Sequence, residues 1–223
     1  MFTLHHLNSS RSQRIIWLFE LLQLEYEVIV YHRDATTNLA PKSLQKIHPL
    51  GTAPILTHNG KSIAETGAIC EYIVNEVKDT NLIPSKESAD YIDVQFWSHY
   101  AEGSFLPPLV TAMVLNKGKE KASPFFIKFV VAKFVDAVMN AYFGKAIKRN
   151  MDFVENHLNG KEWLVGDAPT IADVQMSFPI EAMEKTGRLA SCPNLSAYVK
   201  RFQSEPSYIL AMAKMHAVEK AAT

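Results

Sequence analysis

The stretch Ala53 to Cys70, APILTHNGKSIAETGAIC, changes periodicity twice in eighteen residues. Ile55 to His58 and Lys61 to Ala64 are short runs of strand-forming residues, and Asn59-Gly60 between them is a two-residue hairpin signal, because both positions must accept a positive φ. Beyond Glu65-Thr66 the spacing becomes helical in TGAICEYIVNEV. Pro54 opens the first of the two strands, where its missing N–H costs the ladder least. If the Ala53-Pro54 bond is cis, the backbone of Ala53 faces outward and can pair with an extended ligand. Glu65 and Thr66 serve either as charge and cap for the helix start or as a site for a small zwitterion. In that second reading the hydroxyl and helix amides take a carboxylate and Glu65 takes an ammonium.

Upstream, MFTLHHL reads as a strand with Phe2, Leu4 and His6 on one face. SRSQRIIWLFELLQ follows at helical spacing, with Ile15, Leu18, Phe19 and Leu22 aligned. YEVIVYH is a strand by its β-branched content, and a short helix is expected over Pro41 to Ile47. The order β-α-β-α-β-β-α implies a mixed sheet with helices on its faces. The linker Asp79 to Ser85 carries Asn and Pro, and strand signals end there. Helices are expected over Ser88 to Asn116, Pro124 to Leu158, Ile171 to Thr186 and Asn194 to Ser204. The fold class expected is therefore an α/β domain over residues 1–79 followed by an all-α domain over residues 86–223.

Composition narrows the function. The chain has 223 residues and 23 basic against 23 acidic side chains, a formal charge of zero. Nucleic acid and acidic membrane surfaces both call for a basic excess that is missing. Cys70 and Cys192 cannot make a disulfide framework and have no neighbours at metal-ligand spacing, so the expectation is no metal and a reducing, cytoplasmic setting. His5 and His6 point to opposite faces of a strand, which argues against a shared metal. Cys70 reads as a small buried hydrophobe, and the start of the chain shows no secretory signal.

SPFFIKFVVAKFVDAVMNAYFG, Ser123 to Gly144, is apolar enough to raise the question of a membrane. Lys128, Lys133, Asp136 and Asn140 form one polar stripe on it, and three charges inside a span would be costly. A mostly buried or interface helix is expected instead. Thr170 with Asp173 has capping-box spacing and reads as structural.

Together these motifs resemble the cytosolic glutathione transferases. The proline before the third strand and the Glu-Thr after the hairpin are similar to their thioredoxin-like half. WLVGDAPTIADV resembles their capping motif, and CPNLSAYVKRFQSEPSY their last helices. The start HHLNSSRSQRIIWLFELLQLEYE looks most like the bacterial and fungal subgroup named after a yeast transferase. The resemblance implies that Ala53 and Pro54 hold the cysteinyl part of glutathione and Glu65 with Thr66 its γ-glutamyl end, with Thr52 in the same site, near the glycine carboxylate. Thr52 departs from the Lys that many relatives carry there, so Lys42 and Arg11 stand as alternatives for the glycine carboxylate.

Relatives place Tyr, Ser or Cys where the first strand meets the first helix. No Tyr precedes Tyr26 and no Cys precedes Cys70. Aligned on the Ser-x-x-x-Arg pattern of the relatives, Ser10 with Arg14 is the match, with Ser9 and Ser12 as alternatives. The implied activity is conjugation of the glutathione thiol to small apolar electrophiles, with peroxide reduction open. Tyr100, Phe105, Leu109 and Met113 are candidates for the electrophile pocket, or equally for core, and a homodimer is implied. The rival reading is a non-catalytic module of the same fold that binds apolar ligands or a partner protein.

Overall fold

The computed structural model describes residues 1–78 and 80–222; Asp79, at the head of the expected linker, and Thr223 lie outside the described residues. The N-terminal domain runs β1 (Phe2–Leu7), α1 (Ser12–Leu21), β2 (Tyr26–Tyr31), a 3-10 turn (Lys42–Lys46), β3 (Ile55–His58), β4 (Lys61–Ala64) and α2 (Thr66–Val77). The four strands lie in the order β2-β1-β3-β4, with β1 parallel to β2 and the other pairs antiparallel. Asn59 and Gly60 both have positive φ, and His58 pairs with Lys61 across them, so the hairpin forms where the sequence places it.

The register sets up one functional end. His5 pairs with Ile55, so the start of β3 lies beside the end of β1. Ile55 pairs with Ala64, so the end of β4 lies there too. Three chain corners, at residues 8–12, 51–54 and 65–66, therefore meet at one end of the sheet.

Helix α1 is buried on every side: Ile15, Ile16, Trp17, Leu18 and Phe19 are all inaccessible. The reason is that α7 and α9 cover the face that the sheet leaves open, and α1 packs against both. The all-α part comprises α3 (Asp90–Tyr100), α4 (Leu106–Lys121), α5 (Phe125–Val138), α6 (Gly144–His157), α7 (Ile171–Lys185), α8 (Pro193–Ser204) and α9 (Pro206–Ala221). Single π-helical turns, Ala101–Phe105 and Met139–Phe143, join α3 to α4 and α5 to α6. The sequence reading stops at Ser204 and lacks α9.

Two elements at the edges of this core differ in an instructive way. The Thr170–Asp173 capping box forms, with the Thr170 amide donating to Asp173 Oδ2 at 2.8 Å. Asp173 also accepts from the Leu164 amide and from the Tyr198 hydroxyl at 2.7 Å. In contrast, α5 is not a buried helix within this chain. Only Val135 on it is buried, while Phe125 is 86% exposed and Phe126, Phe129 and Phe134 also face outward. No helix among the described residues is long and apolar enough to cross a membrane.

Candidate active site

A cleft of about 820 Å³ opens at the corner where the chain turns meet. Ser9, Ser10 and Arg11 line it from the β1–α1 turn, and Gly51, Thr52 and Ala53 from the approach to β3. Leu106, Pro107, Val110 and Met113 on α4, with Phe178 on α7, form its apolar wall. The Ala53-Pro54 bond is cis, and Pro54 itself is buried behind Ala53. The register of the sheet puts Glu65 and Thr66 next to this corner.

Helix α1 begins at the cleft without a side-chain cap on its N-cap residue, Arg11. The positive end of its dipole still faces the cleft and favours an anion there, although the amides of Gln13 and Arg14 are taken by the carbonyls of Ser10 and Arg11. Ser9 holds a left-handed φ of 52°, and the turn carries Ser10 into a nearly buried position. Ser10 Oγ accepts from the Ser12 amide at 3.3 Å and shares a 2.6 Å hydrogen bond with Ser12 Oγ. Ser12 Oγ in turn meets His6 Nδ1 at 2.7 Å, and His6 Nε2 meets Glu219 Oε1 on α9 at 2.9 Å. Burial pushes the His6 imidazolium down, partly offset by the Glu219 carboxylate.

Arg14 is wholly buried one turn further on. It donates to the Gln175 carbonyl and side chain at 2.6 and 2.7 Å and pairs with Glu102 at 2.7 Å. Glu102 also holds Arg11 at 2.7 Å. This carboxylate sits on the π turn between α3 and α4, so it ties the first turn of α1 to the helical domain. Arg11 lines the cleft but is engaged in that pair. Lys42, the other alternative for the glycine carboxylate, is exposed and not among the residues lining the cleft. Arg33, not singled out in the sequence, lines the cleft instead and donates to the carbonyls of Asn8, Ser9 and Asn38.

Glu65 is the N-cap of α2, but its side chain makes no capping bond and is exposed. Its φ of 69° is unusual for a residue with a Cβ. Such backbone costs on the order of 1–3 kcal/mol and persists only where its surroundings hold it. Thr66, behind it, is buried.

The four helical residues read as a pocket separate in the structure. Met113 lines the cleft. Phe105 is buried in the core, Leu109 packs against that core, and Tyr100 stacks among Phe96, Trp97 and Phe153. The cleft wall on α4 is instead the stripe Leu106, Val110 and Met113. One residue on a helix is about 100° of rotation, which separates Leu109 from Val110, and the π turn between Tyr100 and α4 shifts the phase of Tyr100 relative to that stripe. Cys70 is buried, its thiol pushed up to about 12 by desolvation. Among the described residues no group of three or more His, Cys, Asp or Glu could hold a metal ion.

A thioredoxin-like sheet with a cis-proline beside the first helix start, followed by an all-helical domain whose apolar wall closes the cleft, is the class of fold observed. Comparisons with known proteins give it a family. Residues 1–75 match the model of the glutathione S-transferase N-terminal domain, and residues 112–208 that of the C-terminal domain. The chain is 36% identical to glutathione S-transferase 1 of Saccharomyces cerevisiae, over 96% of this chain and 95% of that one. It is 32% identical to glutathione S-transferase 3 of Schizosaccharomyces pombe, over 96% and 88%. A glutathione S-transferase of Actinobacillus pleuropneumoniae, solved by crystallography, superposes with a TM-score of 0.80 at 31% identity, covering 96% of this chain and 92% of that one. The chain belongs to the glutathione S-transferase family.

Proposed function

We propose that this chain joins the thiol of glutathione to small apolar electrophiles. The observation that carries the reading is the convergence of Ser10 at the α1 start, Ala53 beside the cis-proline and the apolar α4 stripe on one cleft. In this assignment residues 1–79 bind glutathione and residues 86–223 supply the electrophile wall. Ala53 and Pro54 hold the cysteinyl segment, with Thr52 beside them in the glutathione site; Glu65 and Thr66 hold the γ-glutamyl end; Ser10 activates the thiol. Leu106, Val110 and Met113 face the second substrate.

The chemistry follows from charge. A free thiol has a pKa of about 8.5, so little is thiolate at neutral pH. A hydroxyl donor and a helix N-terminus both favour the anion, and the apolar wall concentrates the electrophile beside it. Turnover tests the reading: aryl halides, epoxides, isothiocyanates and hydroperoxides are offered with glutathione, and conjugation or peroxide reduction is followed. No turnover of any of them, with glutathione still bound, would make the protein a binding module instead.

The enzyme works as a two-fold homodimer in this reading. The exposed phenylalanines of α5 present more apolar surface than a monomer commonly leaves open. Light scattering at micromolar concentration is expected to give twice the chain mass, and a monomer mass would refute it. Its setting is a reducing compartment such as the cytoplasm, where Cys70 and Cys192 remain thiols.

A further inference from the structure

We propose that Glu219, His6, Ser12 and Ser10 form a proton relay that draws the proton off the bound thiol and stores it on His6. The proposal rests on the assignment of Ser10 to the glutathione sulfur and extends it inward.

The geometry is a continuous chain of three short contacts: 2.9 Å from Glu219 to His6, 2.7 Å from His6 to Ser12, and 2.6 Å from Ser12 to Ser10. It begins on the C-terminal helix, crosses the end of β1 and finishes on the wall of the cleft. His6 and Ser12 are buried, so solvent does not compete for these bonds. Packing alone would be served by apolar residues at these positions. A hydroxyl, a second hydroxyl, an imidazole and a carboxylate in hydrogen-bonded sequence are the parts of a proton path.

The direction of each bond follows from the ends. With Glu219 ionised, His6 Nε2 carries a hydrogen and donates it. A neutral His6 then has a bare Nδ1, which accepts from Ser12, and Ser12 accepts from Ser10. In that state Ser10 turns a lone pair toward the cleft, where it can accept the S–H of glutathione. Ionisation shifts each hydrogen by one place. The thiol proton bonds to Ser10 Oγ as the S–H bond breaks. The former Ser10 hydrogen passes to Ser12, and that of Ser12 to His6 Nδ1. The products are a thiolate, a Ser10 hydroxyl donating to it, and an imidazolium held between Ser12 and Glu219. No proton is lost from the count. After the sulfur has bonded to the electrophile the shifts reverse. Ser10 gives its hydrogen to the leaving group or to water in the cleft, Ser12 gives its hydrogen to Ser10, and His6 gives its Nδ1 hydrogen to Ser12, which restores the starting state. A cavity of about 430 Å³ adjoins His6 and is lined also by His216, Lys185 and Glu219.

Other charges surround His6. Glu219 faces it from α9, with His216 3.9 Å from the second oxygen of Glu219. His32, just beyond β2, lowers the His6 pKa electrostatically, and Glu181 and Lys185 lie on α7 across the cavity. The negative thiolate and Glu219 together favour the imidazolium in the bound state, while burial keeps His6 neutral in the empty one.

Four proteins test the relay: wild type, Ser10→Ala, His6→Asn and the double variant. Asn keeps a hydrogen-bonding group toward Ser12 but cannot take a proton. Thiolate absorbance of bound glutathione against pH, glutathione affinity and kcat/KM are measured on each. His6→Asn is expected to raise the midpoint of thiol ionisation and lower kcat/KM at pH 7 by about ten- to a hundredfold. Glutathione affinity should stay within about twofold. The loss should vanish above about pH 9, where a thiol of pKa about 8.5 ionises to solvent unaided. The double variant should be no worse than Ser10→Ala alone, because members of one relay fail as a unit.

If His6→Asn titrates like wild type while Ser10→Ala shifts, the relay is wrong and Ser10 acts alone. Losses that multiply in the double variant also overturn it. If Ser10→Ala leaves the titration in place, the Ser10 assignment itself falls, and the relay with it. Glu219→Gln guards against a His6 variant that does not fold. It is expected to shift the titration in the same direction by a smaller amount, and an unshifted curve there overturns the relay.

Discussion

Helices α1 and α7 begin with the same materials, buried hydroxyls and a carboxylate near the first turn, wholly buried at α7 and partly exposed at α1, and arrange them to opposite ends. At α7, Thr170 and Asp173 satisfy each other, the helix amides, the Leu164 amide and the Tyr198 hydroxyl. Every bond closes inside the protein, and nothing faces a cleft. At α1 the N-cap side chain makes no capping bond, and Ser10 lines the open space. The carboxylate, Glu219, arrives only through His6 and Ser12. A closed network stabilises because its last donor finds its last acceptor. An open one ends on a group that needs a ligand. The start of α2 is of the open kind too, since Glu65 is exposed and caps nothing.

The largest expected effect lies at the closed corner. Asp173→Ala removes the acceptor for two buried amides and two hydroxyls at once. Losing a helix cap costs about 0.5–2 kcal/mol and each orphaned buried donor about 1–3. A net destabilisation of about 2–4 kcal/mol is expected, read as an earlier urea midpoint. Well below the transition the rate per folded molecule should be unchanged. A variant that is stable but inactive would break the comparison, because a closed network would then be serving the cleft.

Next in size is Glu65→Ala, at the open start of α2. It should weaken glutathione binding by about 1.5–3 kcal/mol, the range for a hydrogen bond to a charged group. The affinity for an apolar second ligand should hold. Unchanged glutathione affinity by calorimetry would mean that Glu65 only shapes the turn.

How much of this was readable in the sequence divides along the same line. The hairpin at Asn59-Gly60 and the box at Thr170–Asp173 depend on residues within three positions of each other, so local chemistry announces them. Ser10 was reached through a family pattern and does line the cleft. The partners of Ser10 were not legible. His6 looked like half of an idle histidine pair, and Glu219 lies 213 residues away from it on a helix that the reading lacked. Helix α9 leaves Ile209 and Leu210 exposed while Tyr208, Ala211 and Met215 are buried, so no single clean stripe marks it. The apolar wall was missed by one residue, from Leu109 to Val110. Both residues lie on α4 about 100° apart, and both are apolar, so composition does not say which of them faces the cleft.

The smallest effect is a pH dependence of stability, and it separates the two corners with no ligand in the cleft. Burial lowers the pKa of His5, His6 and His157 in the folded chain. The unfolded chain titrates them near 6.5, so below that pH it binds more protons than the fold does. Stability then rises with pH across the window. The contribution of these neutral histidines is present above about pH 6.5 and is lost as the pH falls below it. Urea midpoints of the protein without glutathione should therefore drop between pH 7.5 and pH 5.5. In His6→Asn the drop should be shallower, because one of the three titrating groups is gone. Asp173 carries the opposite sign: burial raises its carboxyl, so acid relieves rather than burdens the closed corner. A midpoint that climbs on acidification in the wild type, or falls as steeply in His6→Asn, would show that the neutral imidazole at the end of β1 is not part of what holds the open corner in shape.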